Sequence, residues 1–240
     1  MKLQKLISKL EKHHKKKLDL SLGRTFNLLK KLGNPQDKLK NVITVVGTNA
    51  KASMCYSLKS ILNKAGYKTN LYTSPHLLSY TERYVFEDKE INEEDLIELL
   101  TDVEKTLGDD NATLFEILTC AFLKYAENFK DNINIIEAGL FHQFDSTNVF
   151  KGNLMTLIGV IHNDHFQWLE NKSIEGVIYE KTAKLLNSNI FINKQVNNEI
   201  RDKIDKSLEK NTSNKYYFGK DFNICLLYTS DAADKGLGVD

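Results

Sequence analysis

Between Val45 and Leu58 the chain reads VVGTNAKASMCYSL, with a glycine, small polar residues, a lysine and a serine set between an apolar run and a helix-like stretch. These residue types can hold a phosphate. Backbone N–H groups at the start of a helix attract anions, a lysine reaches terminal phosphates, and a serine hydroxyl ligates Mg2+. The strict pattern G-x-x-x-x-G-K-[ST] is not met, because Ala50 precedes Lys51 and Ser53 lies two positions beyond the lysine. Alone, the stretch also reads as a turn leading into a helix; its place after a strand favours a phosphate cradle formed by Gly47, Thr48, Asn49, Ala50, Lys51, Ala52 and Ser53.

Ser74, Glu137 and His165 each fall at the end of an expected strand, and hard oxygen ligands with an occasional imidazole suit a magnesium shared with nucleotide phosphates. They read equally as polar loop residues, and sequence separation does not decide between the two. By periodicity Lys181 is a surface lysine beside Glu180. His142 and His162 read as loop or strand-end histidines, Trp168 as a packing residue, and Cys55 and Cys120 as buried small hydrophobes.

The elements that must position these groups follow from periodicity. Residues 1–33 form a helical preface closed by Gly33-Asn34-Pro35. Val42–Val46 is a short β-branched strand, and Ser53 to Lys64 a helix stopped at Gly66. Strands are expected at 69–73, 133–137, 154–161 and 189–192, with helices from an Asn92 cap to Leu107, over 113–125 and over 173–186. Strands alternating with helices define an α/β fold with a mostly parallel sheet covered on both faces. Ligands of such sheets sit beyond the carboxyl ends of the strands, where the polar clusters here lie.

Composition sets outer limits. The 240 residues are 41% hydrophobic, enough for a sizeable core, and 33 Lys+Arg against 32 Asp+Glu give a net charge of +1. That balance implies no attraction to nucleic acid or anionic membrane; the KHHKKK run at 12–17 reads as a solvated helix face. Three cysteines without CxxC spacing argue against a disulfide framework or zinc site and fit a reducing compartment, the cytoplasm by default. No apolar run approaches a membrane span.

The run 42–53, followed by Thr73-Ser74-Pro75-His76-Leu77 and Glu82-Arg83, resembles the folylpolyglutamate synthase/dihydrofolate synthase family of Mur-type ligases, in which the loop is typically GTNGKGS followed by TSPHL and an ER pair. The likeness continues through Leu32–Gln36, Phe115-Glu116 with Thr119, Glu137–Leu140, Asp145–Asn148, Asp164-His165 and Glu180-Lys181, over about residues 20–195.

That resemblance implies an enzyme that phosphorylates a folate carboxylate with ATP and lets the amino group of L-glutamate attack the acyl phosphate. A carboxylate is a poor electrophile; phosphate supplies the leaving group while metal and lysine neutralise developing charge. Carried over, Lys51 contacts the β- and γ-phosphates, Ser53, Ser74, Glu137 and His165 hold Mg2+, and Lys181 matches the lysine the family carbamylates. Phe115 and Glu116 lie near the pterin of dihydropteroate or folate, and Asp145 and Asn148 where the sheet end meets its ligands.

Departures are equally specific. Ala50 and Ala52 stand where the family has glycine, and a position needing φ > 0 costs alanine roughly 1 kcal/mol or more. Phe141-His142-Gln143 replaces the family's GGR, so no role of that arginine transfers. Residues 1–220 are expected to form the amino-terminal ATP-binding domain. Residues 221–240 read as a truncation point with an artefactual tail, Cys225 to Asp234 resembling translated adapter, with the family's carboxyl-terminal domain absent. A monomer, inactive alone, is expected. The competing expectations are a Mur-type amino-acid ligase of cell-wall synthesis, disfavoured by TSPHL and Phe115-Glu116, and a non-catalytic nucleotide-binding remnant.

Overall fold

Leu3, Ile7 and Leu10 recur at helical spacing and seat α1 (Lys2–His13) on the core; Leu28 and Leu29 do the same for α2 (Gly23–Lys31). The helical preface is thus two helices. The computed structural model describes residues 2–14, 21–169 and 171–223, so the tail from 224 lies outside the described residues. The chain continues through β1 (Val42–Val46), α3 (Lys51–Lys64), β2 (Thr69–Tyr72), β3 (Tyr84–Phe86), β4 (Lys89–Glu90), α4 (Glu93–Leu107) and α5 (Leu114–Ala126). It then forms β5 (Ile133–Glu137), β6 (Met155–Ile158), α6 (Ile174–Thr182), β7 (Asn189–Ile192), α7 (Asn198–Ser207) and β8 (Asn214–Tyr217).

Among the described residues the strands make one eight-stranded sheet in the order β4-β3-β2-β5-β1-β6-β7-β8. From β2 to β8 the neighbours are parallel, and the β3–β4 hairpin is antiparallel. β1 is buried along its length at the centre, which explains its unbroken apolar run. Its register sets Val45 beside Glu137 and Leu157. Because side chains alternate, Val45 packs with Leu71, Ile135 and the α3 residue Cys55, whereas Val42 and Val46 join clusters on the opposite face. There α1, α2, α4 and α5 cover one half and α6 and α7 the other, so helices lie on both faces of the sheet. Full burial of each of Leu28, Leu96 and Leu100 contributes about 2 kcal/mol.

Side-chain caps start the helices as their sequences direct. Asn92, Thr113, Ser173 and Asn197 each accept from a first-turn amide, and Thr113 with Glu116 closes a capping box. Expected and observed elements differ at informative places. β6 ends at Ile158 rather than Ile161, because the next residues turn to bind the loop after β1. α6 ends at Thr182 rather than Leu186. The hairpin, α7 and β8 were not legible. Trp168 is half exposed rather than packed, while Cys55 and Cys120 are fully buried.

Candidate functional site

The crossover from β1 through α3 leads to β2 on one side, and that from β6 through α6 leads to β7 on the other, so the sheet's direction switches between β1 and β6. At that mouth Gly47 and Gly159 meet back to back. Gly47 has φ +149, and a Cβ there would lie 3.1 Å from the Gly159 Cα. The close approach lets Val160 O accept from the amides of Thr48 at 2.8 Å and Asn49 at 3.2 Å. The His162 amide donates to Thr48 Oγ1 at 3.1 Å, completing the seam.

Ala50 then adopts φ 64, ψ 7 and leads into α3 without a side-chain cap. The amides of Lys51, Ala52 and Ser53 have no partner within the helix and carry its positive end, which makes an anion-binding rim. Of the two glycine-to-alanine departures, only Ala50 is strained; Ala52 is ordinary helix. Ala50→Gly is therefore expected to raise stability by up to about 1 kcal/mol, and Ala52→Gly to lower it by about 0.5–1 kcal/mol. Thermal unfolding of the two variants checks the opposite signs; equal shifts would refute the assignment of strain to Ala50.

Lys51 Nζ donates to Thr48 O at 3.4 Å and stands 3.9 Å from Glu137 Oε1. The other Glu137 oxygen accepts from the Ser74 amide at 3.1 Å, tying the end of β5 to the end of β2. Burial pushes the Glu137 carboxyl up, against the Ser74 amide and Lys51, which favour its charge. Lys181 is not the surface lysine its periodicity suggests. It is buried, and its Nζ donates to Gly47 O at 3.1 Å and Leu140 O at 2.8 Å. Burial, then the charge of Lys51, lowers its pKa to about 8. Phe141 links it to His165, with Lys181 Nζ 5.5 Å from the ring centroid and the His165 ring 6.2 Å away edge-on. His165 Nε2 lies 3.0 Å from Asp164 Oδ2, and burial nonetheless lowers its pKa.

Gly47, Lys51, Ser74, Glu137 and Lys181 thus meet at one sheet rim, with His165 behind Phe141. The remaining sequence candidates have local partners. Asp145 is buried with its carboxylate turned into its own loop, accepting from the Gly139 and Thr147 amides and the Thr147 hydroxyl. Phe115 packs on the same turn: a Cβ on Gly139 would lie 2.7 Å from Asp145 Oδ2 and 2.8 Å from the Phe115 ring. Glu116 accepts from the Arg24 fork at 3.1 and 2.9 Å and from the Thr113 amide, so its charge serves an ion pair and a helix cap. Asn148 Nδ2 donates to Gln143 O. His142 is held neutral by burial, its pKa lowered to about 4, and its Nδ1 has no hydrogen-bond partner among the described residues.

Among the described residues no three His, Cys, Asp or Glu side chains group tightly enough to hold a metal by themselves. The rim instead offers a buried carboxylate, Glu137, with Ser74 on the loop after β2, whose amide it accepts, and Ser53 in the first turn of α3. That sparse set of oxygen donors suits a magnesium that keeps water and phosphate ligands. Sequence reasoning missed Gly159, whose signal was a lone glycine after an apolar run, and Gln195, which carried none.

The fold and rim define a doubly wound α/β domain with a phosphate-loop-like turn at its switch point. No family model matches the chain. It is 36% identical over 163 residues to the dihydrofolate synthase/folylpolyglutamate synthase of Escherichia coli, covering 68% of this chain and 38% of that protein. The Bacillus subtilis protein of the same name gives 36% over 169 residues, 68% and 39%. Among solved structures, E. coli FolC in complex with DHPP and ADP superimposes with a TM-score of 0.82 at 30% identity, over 92% of this chain and 52% of that one. The Yersinia pestis bifunctional enzyme complexed with AMPPNP and Mn ion gives 0.83 at 26%, over 94% and 54%. The chain belongs to the dihydrofolate synthase/folylpolyglutamate synthase family. It spans about two fifths of the length of the curated relatives it matches and about half of the solved chains.

Proposed function

We propose that this chain is the amino-terminal, nucleotide-binding part of an ATP-dependent ligase that adds L-glutamate to dihydropteroate or folates through an acyl phosphate. The convergence of Lys51, Ser74, Glu137 and Lys181 on the turn at Gly47 carries this reading. In it the Lys51–Ser53 amides and the Lys51 ammonium bind the β- and γ-phosphates. Ser53, Ser74, Glu137 and His165 hold Mg2+, which when bound offsets charge on the transferring phosphoryl group. Phe115 and Asp145 shape the turn facing the pterin substrate, with Glu116 holding the helix beneath it and Asn148 near the nucleotide.

Lys181 keeps a neutral-amine fraction near neutral pH, the form that adds CO2, which supports its carbamylation to an anionic metal ligand. The buried thiols of Cys55 and Cys120 suit a reducing compartment, which we read as the cytoplasm, and we read the chain as a monomer. Among the described residues no helix is long and apolar enough to cross a membrane. Alone, residues 1–220 are expected to bind nucleotide without turnover.

Calorimetric titration with ADP, with and without Mg2+, tests the site. The wild-type chain is expected to bind in a Mg2+-dependent manner, and Lys51→Met to lose roughly ten- to a hundredfold in affinity, as for a charge-assisted phosphate contact. Binding unaffected by Lys51→Met, or no binding by the folded wild type, would overturn the reading.

A further inference from the structure

Gln195 lies in the turn after β7, buried and outside every motif of the sequence. Its Oε1 accepts from the Ile161 amide at 3.0 Å, while its Nε2 donates to Gly159 O at 3.1 Å and Asn193 O at 2.8 Å. The amide orientation is fixed by chemistry: exchanging the two atoms would set the oxygen against two carbonyls and the nitrogen against an N–H. Gln195 therefore grips residues 159 and 161 from the β7 side. Residue 160, between them, presents the carbonyl that receives the Thr48 and Asn49 amides from the β1 side. The backbone of Gly159 also sets how close Gly47 approaches. One short segment is clamped from both directions, and its position decides where the loop before α3 stands.

We propose that Gln195 is a positioning residue for the phosphate loop, acting through Gly159, Val160 and Ile161, and that it tunes nucleotide affinity without touching nucleotide. The proposal rests on the reading of Gly47–Ser53 as a phosphate site. Removing the side-chain amide leaves Gly159 O and Ile161 N buried without these partners, so the segment shifts to satisfy them and carries Val160 O with it. The loop then loses the acceptor that orients Thr48 and Asn49.

The test compares Gln195→Met with Asn153→Leu. Asn153 is a matched control at the opposite end of the same strands, donating to Thr44 Oγ1, Met155 O and Thr156 Oγ1. Both substitutions are expected to lower stability. Only Gln195→Met is expected to weaken Mg·ADP binding, by roughly tenfold, and to speed hydrogen exchange at the Thr48 and Asn49 amides. Gln195→Ala, which loses the same hydrogen bonds but leaves room for water to meet Gly159 O and Ile161 N, is expected to fall between and serves if the methionine variant does not fold. Equal affinity losses in the Gln195 and Asn153 variants, or unchanged exchange at Thr48 and Asn49, would overturn the proposal. The exchange measurement needs no ligand, so it judges Gln195 even if the wild-type chain binds no nucleotide, an outcome that sinks only the phosphate-site reading.

Discussion

Gly47→Ala is expected to cost about 3 kcal/mol of stability and to abolish measurable binding of Mg·ADP. The cost has two parts that act together. At φ +149 a side chain is strained whatever the space around it, and the new Cβ would press on the Gly159 Cα at 3.1 Å and its N and C at 3.3 Å. Those contacts are backbone, so no flexible side chain swings away to relieve them. Moving Gly159 displaces Val160 O from the Thr48 and Asn49 amides, and moving Gly47 displaces the carbonyl that Lys181 binds. A stability penalty and a binding defect should therefore appear in the same variant. Urea unfolding and calorimetric titration measure the two. A variant as stable as wild type with intact binding would show that the seam between β1 and β6 is not as close as described.

That seam also shows what was legible in the sequence. Gly47 stands out because a motif surrounds it, whereas Gly159, where a Cβ would lie 3.1 Å from Asn49 O, carries its steric constraint with no motif. Its role exists only once the sheet order places β6 beside β1, and no local pattern encodes that neighbour. Three strands have the expected limits: Val42–Val46, Ile133–Glu137 and Asn189–Ile192. The expected strand 154–161 runs three residues past the carboxyl end of β6 because Val160 and Ile161 are as apolar as a strand, yet Val160 O receives the amides of the loop after β1. α7 was missed because Ile200, Ile204 and Leu208 make only a thin apolar stripe among charges.

The site residues divide along the same line. The turn into α3 singles out Lys51, and strand ends single out Ser74 and Glu137 as candidates; the structure brings the three together because a parallel sheet gathers those ends at one rim. Lys181 was found only through family resemblance, because helix periodicity gives it a solvent-facing position. The loops after β1 and β5 meet it there: Gly47 O and Leu140 O accept from the ammonium, and the Phe141 ring centroid lies 5.5 Å away. Glu116 illustrates the converse. A carboxylate beside an expected substrate wall invites a binding role, but Arg24, ninety-two residues earlier, meets it from α2, and Thr113 takes it as a cap. Pairing across that separation is a property of helix packing, beyond the reach of motif or spacing.

The buried ammonium of Lys181 is expected to contribute a stability term that rises with pH above about 8. Its folded pKa is about 8 against an ordinary 10.5, so the folded state releases a proton that the unfolded state still holds. Below pH 8 both states are charged and the folded one bears the whole desolvation cost. Between 8 and 10.5 the cost fades, and above 10.5 it is gone; the shift corresponds to about 3 kcal/mol. Lys181→Met has no proton to release. It loses the hydrogen bonds to Gly47 O and Leu140 O at every pH, which is a constant offset, so the difference in stability between wild type and variant isolates the titration. Urea unfolding of both from about pH 7 to about pH 10 is expected to show wild type gaining about 2–3 kcal/mol on the variant, other groups cancelling in the difference. A flat difference would mean that Lys181 is not desolvated as described. Because Lys51 is the second cause of the lowered pKa, repeating the comparison in a Lys51→Met background should move the rise to higher pH, which burial alone would not do.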